Sequence, residues 1–137
     1  MAETILYGEA GLRDAVGTHL GYSNWLDISR DRLELFARAT GDADATYLAI
    51  SLSNMFLPQI VEVQGFAMGI NYGTDSVRFP SPLLAGTSVR GGASLLDVVD
   101  VRDGVQTRML ITIEHSAVEP HAGDPVCVIE SISRWLR

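Results

Sequence analysis

The residues best suited to chemistry are two carboxylates, Asp42 and Asp44, which stand close together in a short polar segment. They directly precede residues 46–57, the most apolar part of the chain, in which apolar side chains recur every three or four positions. This spacing predicts a helix with a broad apolar face. A carboxylate at the start of such a helix can act as a general acid or base, or it can simply cap the helix.

The segment 41–63 organises the rest of the chain, and its helix is predicted to begin with Thr46 or Asp44 as the N-cap. Because only three polar residues interrupt the apolar face, we expect this central helix to be buried on most sides. Pro58 is expected to end or kink it. The roughly eleven residues before Pro58 are far fewer than the roughly 20 that a membrane span needs.

A second helix is predicted over residues 29–40, just before the acidic segment. Ser29 is a suitable N-cap, and Gly41 stands where a left-handed C-cap residue is required. The N-terminal part of the chain is weaker in signal, with a short helix over residues 12–16 and a short strand over residues 25–28 as the expected elements.

After the central helix the apolar pattern changes to a period of two, which indicates strands. Four long strands are predicted over residues 68–79, 89–101, 105–113 and 125–136, with a bulge near residues 73–75, a hairpin turn at residues 102–104 and a polar loop at residues 119–124. The fold class is therefore α+β, a single domain of residues 1–137 in which a long curved antiparallel sheet wraps round a buried central helix. Such a sheet has an exposed edge, so we expect a homodimer.

Composition excludes several functions. The net charge of −7 disfavours nucleic acid as a partner, and the absence of lysine removes the key residue of Schiff-base and P-loop chemistry. One cysteine, Cys127, cannot form an internal disulfide, which suits a reducing cytoplasm. The first residues show no signal-peptide pattern.

Three short motifs resemble the MaoC-like hydratases, the (R)-specific enoyl-CoA hydratase family. The first is Phe36-Ala37-Arg38-Ala39-Thr40-Gly41-Asp42, and the others are Asn71-Tyr72-Gly73 and Val77-Arg78-Phe79-Pro80 followed by Gly86, which resemble the nodulation-protein-N branch. The resemblance extends over nearly the whole chain, from about Leu12 to Trp135. It implies the hot-dog fold, which is the helix-in-sheet arrangement expected above.

The resemblance also implies an activity, the reversible addition of water to trans-2-enoyl thioesters of coenzyme A or acyl carrier protein. It implies neither a metal nor an organic cofactor. Asp42 matches the catalytic aspartate, and the backbone N–H groups near Thr46 and Tyr47 would stabilise the charge that develops on the thioester oxygen.

Residues of the first long strand are further candidates for substrate binding. Asn71, Tyr72 and Gly73 are expected along the acyl or pantetheine channel, and Arg78 near the coenzyme A phosphates. Core packing of the tyrosine and a solvated arginine are the simpler interpretations.

The chain departs from the family at its second catalytic residue. The family has a histidine five positions after the aspartate, where this chain has Tyr47, and a loop of about twenty residues before the central helix, where only residues 43–46 follow Asp42. Either the protein has lost this loop, or the sequence lacks a stretch that the intact protein carries; the closeness of both flanks to the family pattern favours the second explanation. An intact mass near 14.8 kDa would indicate a true deletion. A mass about 2 kDa larger would indicate an additional loop, because about twenty residues at this chain's average residue mass weigh that much.

No histidine of the chain is an obvious replacement, since His19, His115 and His121 all lie in segments where a structural or surface role is expected. The leading hypothesis is therefore a hydratase whose partner histidine is not found in this sequence. The alternatives are a non-catalytic acyl-binding or partner subunit, and a thioesterase on the same fold.

Overall fold

The computed structural model describes residues 2–117 and 123–137, and its largest part is a six-stranded antiparallel sheet. The helices are α1 (Gly8–Asp14), α2 (Arg30–Thr40) and α3 (Thr46–Ile60), and the strands are β1 (Thr4–Tyr7), β2 (His19–Tyr22), β3 (Leu26–Asp27), β4 (Val61–Gln64), β5 (Met68–Arg78), β6 (Ser88–Val101), β7 (Gly104–His115) and β8 (Cys127–Leu136). The sheet has the order β2-β6-β7-β8-β5, with β3 also paired to β6. This arrangement confirms the expected α+β hot-dog fold with four long antiparallel strands.

Alternation of apolar and polar residues places the core on one face of this sheet. In β7, every second residue is buried, and these inward residues are Val105, Thr107, Met109, Ile111 and Ile113. Helix α3 packs on the same face, and it approaches β6 so closely that a Cβ atom on Gly91 would lie 2.9 Å from the Cβ atom of Phe56. A glycine is therefore required at this point of contact.

Helix α2 begins and ends as its sequence predicts. The Ser29 hydroxyl accepts a hydrogen bond from the Arg32 N–H, and Gly41 adopts the left-handed conformation with φ 78°. None of the eleven residues of α2 is buried, so its bounds are set by local capping more than by packing.

The start and end of α3 correct the sequence-based prediction. Its N-cap is neither Thr46 nor Asp44 but Ala45, which has φ 52° and offers no side-chain acceptor. The helix also continues past Pro58 to Ile60, so Pro58 does not end it. Pro58 and the residue one turn earlier, Asn54, both face solvent, where water can satisfy the carbonyl that the proline leaves unbonded.

The prediction that α3 is buried on most sides is wrong. One face is buried and consists of Leu48, Ala49, Leu52, Phe56 and Ile60. The opposite face is open, with Tyr47 61% and Met55 44% exposed. The sheet covers a single side of the helix, Ile50 and Leu57 are partly buried at its margins, and the exposed side chains remain uncovered in the monomer. No helix in the described ranges is long and apolar enough to cross a membrane.

Several smaller features complete the fold. The parallel pair β1–β4 was not predicted, and α1 lies earlier than residues 12–16. Strand β5 has register shifts between Asn71 and Gly73 and between Thr74 and Ser76, which agrees with the expected bulge. Most of the predicted polar loop 119–124, including His121, lies outside the described residues.

Candidate active site

Asp42 lies in the short connection between α2 and α3, where local hydrogen bonds hold it in place. Its Oδ2 atom accepts a hydrogen bond of 2.8 Å from the Tyr47 N–H, and its carbonyl accepts one of 3.0 Å from the Ala45 N–H. Its own N–H donates to the Thr40 hydroxyl, which in turn donates to the carbonyl of Phe36. Asp42 thus caps α3 from outside the helix, which explains how α3 begins without a side chain at its N-cap.

An open cavity of about 800 Å³, named here the Asp42 cavity, adjoins this carboxylate. It is bounded by the end of α2, the start of α3 and the residue after β5, and its lining residues are Phe36, Thr40, Gly41, Asp42, Thr46, Tyr47, Ser51 and Phe79. Its size lies within the range of about 300–1,000 Å³ that is usual for small-molecule sites. The predicted residues Asp42, Thr46 and Tyr47 are therefore brought together.

A second cavity of about 490 Å³ is also lined by Phe79 and is named the Ser81 cavity. Its lining residues are Asp44, Thr46, Ala49, Phe79, Pro80, Ser81, Pro82, Leu83, Leu84 and Val126. Thr46 and Phe79 line both cavities, so the two spaces meet at the first turn of α3.

All four candidate residues on β5, the last of which is Arg78, lie away from this site. Asn71, Tyr72, Gly73 and Arg78 are not among the residues that line either cavity. The guanidinium of Arg134 lies 3.8 Å from the centre of the Tyr72 ring, so Tyr72 stacks on the outer face of the sheet. Their roles in substrate binding stay predictions.

The histidines that are described have structural contacts. The Nδ1 atom of His115 accepts a hydrogen bond from the Ala117 N–H, so in the neutral ring its Nε2 carries the proton and donates to the Ser81 hydroxyl at 3.1 Å. The His19 ring lies 4.6 Å from the Tyr22 ring at a tilt of 41°, and its Nδ1 atom accepts a hydrogen bond from the Gly21 N–H. Neither lines the Asp42 cavity.

Ser81 and Phe79 are the residues near the site that sequence reasoning missed. Ser81 is buried, and its hydroxyl donates to the carbonyls of Asp124 and Pro125 at distances of up to 3.1 Å, which ties the segment after β5 to the segment that precedes β8. The Phe79 ring stacks on the Tyr47 ring at 5.9 Å. Phe79 belongs to one of the family motifs, but nothing in the motif shows that it reaches the N-terminus of α3.

The chemistry open to the Asp42 cavity is proton transfer by a carboxylate. Among its described lining residues, Asp42 is the one with a carboxylate, and none has an imidazole. The Tyr47 N–H, expected to stabilise the thioester oxygen, is donated to Asp42 in this structure, so it can serve that purpose only if Asp42 moves.

Comparison with known proteins identifies the family. No protein-family model matches the chain. The 3-hydroxyacyl-thioester dehydratase Z of Mycobacterium tuberculosis is 35% identical, over 93% of this chain and 95% of that protein, and nodulation protein N of Rhizobium leguminosarum bv. viciae is 31% identical over 60% and 64%. A MaoC-like dehydratase from Rhodospirillum rubrum has the same fold, with a TM-score of 0.64, 14% identity and coverage of 90% and 93%.

The fold and the site define a hot-dog protein with an acidic group at the N-terminus of its core helix. Together with the similarity to dehydratase Z along nearly the whole of both chains, they show that this chain belongs to the MaoC-like family of hot-dog hydratases and dehydratases.

The lengths of the alignments bear on the short connection before α3. The alignment to dehydratase Z spans 147 positions, although 93% of this 137-residue chain is only about 127 residues. The alignment to nodulation protein N spans 103 positions, against about 82 residues here. Both relatives therefore have about twenty residues in the aligned region that this chain lacks, which equals the size of the loop expected after Asp42.

Proposed function

We propose that this protein acts as a hydro-lyase that adds water reversibly to trans-2-enoyl thioesters of coenzyme A or acyl carrier protein. The observation that carries the proposal is the Asp42 carboxylate, held at the N-terminus of the core helix beside a cavity large enough for an acyl thioester. Membership of a family whose relatives include a 3-hydroxyacyl-thioester dehydratase supports the same reaction class.

Asp42 would act as the base toward water. Its Oδ2 atom is bonded to the Tyr47 N–H, and no hydrogen bond to Oδ1 is found among the described residues, which leaves Oδ1 to accept a proton from water. The hydroxide then adds to the β-carbon, and the thioester oxygen takes up negative charge until the α-carbon receives a proton. Without a histidine, the carboxyl group of Asp42 would have to return that proton itself.

The central test compares the loss of enoyl-thioester absorbance in the wild type and in Asp42→Asn, with crotonyl coenzyme A and a longer enoyl coenzyme A. The asparagine keeps the size of the side chain but cannot accept the proton, so turnover should fall by about 10²–10⁴. Asp44→Asn is a matched control, because it makes the same chemical change two positions away and outside the Asp42 cavity. Equal rates for the wild type and Asp42→Asn would remove Asp42 from the mechanism.

A non-catalytic acyl-binding or partner subunit is the second candidate. It is favoured by the absence, among the described residues lining the Asp42 cavity, of a second group able to carry a proton as a histidine does. This candidate predicts that acyl coenzyme A binds in calorimetry while hydration of the enoyl thioester is negligible. Release of free thiol from the same substrate would instead indicate a thioesterase.

We also propose that two copies of the chain pair through β5. This strand forms hydrogen bonds with β8 alone among the described strands, and most of its residues are exposed on both faces, including Met68 and Tyr72 at 56% each. The unpaired backbone groups of an exposed edge strand favour pairing with a second chain, and such a dimer would cover the candidate residues of β5.

Sedimentation at micromolar concentration should give twice the monomer mass. Ile70→Lys should shift the equilibrium toward monomer, because a charge on an edge strand opposes pairing. Val99→Lys introduces the same side chain at an exposed position of β6 and should leave the dimer intact. A well-folded monomeric wild type would contradict the proposal.

Location in the cytoplasm stays a prediction, which the buried, unpaired Cys127 fits.

A further inference from the structure

Phe79 occupies the boundary between the Asp42 cavity and the Ser81 cavity. It follows Arg78, the last residue of β5, and its ring stacks on the exposed ring of Tyr47 with an interplanar angle of 28°. Besides Thr46, it is the one residue that lines both cavities. The two spaces, of about 800 Å³ and 490 Å³, therefore share an aromatic side chain in their walls.

The backbone on which Phe79 stands is held firmly. Pro80 follows it directly and restricts its conformation, and the buried Ser81 is bonded to His115 and to two carbonyls of the segment that leads into β8. Phe79 itself remains 37% exposed. The rigid backbone and the Tyr47 ring thus fix the position of the Phe79 ring. Phe79 is not part of the hydrophobic core, so core packing does not require an aromatic residue there.

We propose that Phe79, supported by Tyr47, limits the length of the acyl chain that the site accepts. This inference rests on the proposed function, in which the thioester lies beside Asp42. A short acyl group fits within the Asp42 cavity, whereas a longer one meets the Phe79 ring before it can enter the Ser81 cavity. Removing the ring joins the two cavities, and every methylene group that then becomes buried should improve affinity roughly fourfold.

The test is calorimetric binding of butanoyl, octanoyl and dodecanoyl coenzyme A, which are saturated and cannot be hydrated. Phe79→Ala should raise the affinity for the dodecanoyl relative to the butanoyl thioester by at least about tenfold over the wild type. Phe79→Leu, which keeps an apolar side chain, should change the ratio in the same direction by less. The leucine variant also allows the test to be made if the alanine variant does not fold.

Phe66→Ala is the matched control, because it removes the same side chain at a position that lines neither cavity. Phe66 packs near Trp135, and its removal should leave the ratio of affinities unchanged. An unchanged ratio in folded Phe79→Ala or Phe79→Leu would overturn the proposal. So would an equal change in Phe66→Ala.

A second probe separates failure of this proposal from failure of the proposed function. cis-Parinaric acid is a fluorescent long-chain fatty acid that needs no coenzyme A site. Tighter parinarate binding by Phe79→Ala, in a protein that binds no acyl coenzyme A, would support the boundary at Phe79 and contradict the thioester substrate. Binding of acyl coenzyme A with the same chain-length preference in every variant would retain the function and reject the role of Phe79.

Discussion

Helices α2 and α3 are adjacent in the chain but are stabilised in opposite ways. Helix α2 has a serine N-cap and a left-handed glycine C-cap, and none of its residues is buried. Helix α3 has no side-chain acceptor at its N-cap, a left-handed alanine before its first residue and a proline within it, yet five of its residues are buried. Good capping therefore does not identify the helix that holds the core together.

The difference between the two helices follows from how much capping and burial each contribute to stability. A side-chain cap contributes about 1 kcal/mol, whereas a fully buried Leu, Ile or Phe side chain contributes about 1.5–3 kcal/mol. The buried face of α3 can thus offset an internal proline, which costs about 3 kcal/mol in a helix interior. Helix α2 has no buried side chains that could offset poor capping, so it depends on its N-cap and C-cap residues. The candidate active site lies where the two helices meet.

The largest expected effect comes from a charge on the buried face of α3. Leu52→Asp should unfold the protein, because an unpaired buried charge costs several kcal/mol, out of a total stability of about 5–15 kcal/mol. Leu35→Asp is the matched control on α2, where Leu35 is 59% exposed, and it should change little. Thermal melting followed by circular dichroism measures both. A Leu52→Asp variant with a wild-type melting temperature would remove α3 from the core.

A smaller effect is expected from the cap that Asp42 provides to α3. Asp42→Ala removes the acceptor for the Tyr47 N–H and should lower the free energy of unfolding by about 1 kcal/mol. Asp42→Asn keeps a side-chain oxygen and should lose clearly less. Urea denaturation distinguishes the two. Equal losses would mean that the carboxylate charge, and not the hydrogen bond, stabilises the helix.

The equivalent change in α2 is Ser29→Ala. It removes the hydroxyl that accepts from the Arg32 N–H, and we expect about 1 kcal/mol of local helix stability to be lost. Because α2 is little buried, the loss should appear as faster hydrogen exchange in α2 and only weakly in the global unfolding free energy. A global loss as large as that in Asp42→Ala would show that α2 is coupled to the core.

The smallest effect at neutral pH concerns Cys127, which is buried in the core at the start of β8. Burial raises the pKa of its thiol to about 11. A pKa that is higher in the folded state favours folding fully below the pKa of the unfolded thiol, and this contribution is lost as the pH rises from about 9 toward 11. Stability should therefore decline over that range in the wild type and less in Cys127→Ala. Rapid alkylation of the native thiol at neutral pH would contradict its burial.

Much of the fold could be predicted because its signals are local. The strand signals of β6, β7 and β8 and the caps of α2 are each contained in ten to fourteen residues, and the structure confirms these elements. The parallel pairing of β1 with β4 could not be predicted in the same way, because its partners lie almost sixty positions apart. Its short strands also lack a pattern of their own.

The candidate site was predictable only in part, for the same reason. By itself, the sequence determined that a carboxylate precedes an apolar helix, that four long strands follow and that the chain resembles the MaoC-like family. Only the tertiary structure decided that one face of α3 stays open, that Asp42 caps the helix through the Tyr47 N–H and that Phe79 reaches the same helix end from β5. Period and capping are set by neighbouring residues, whereas the side of a helix that is covered and the side chains that meet at its end depend on how distant segments pack.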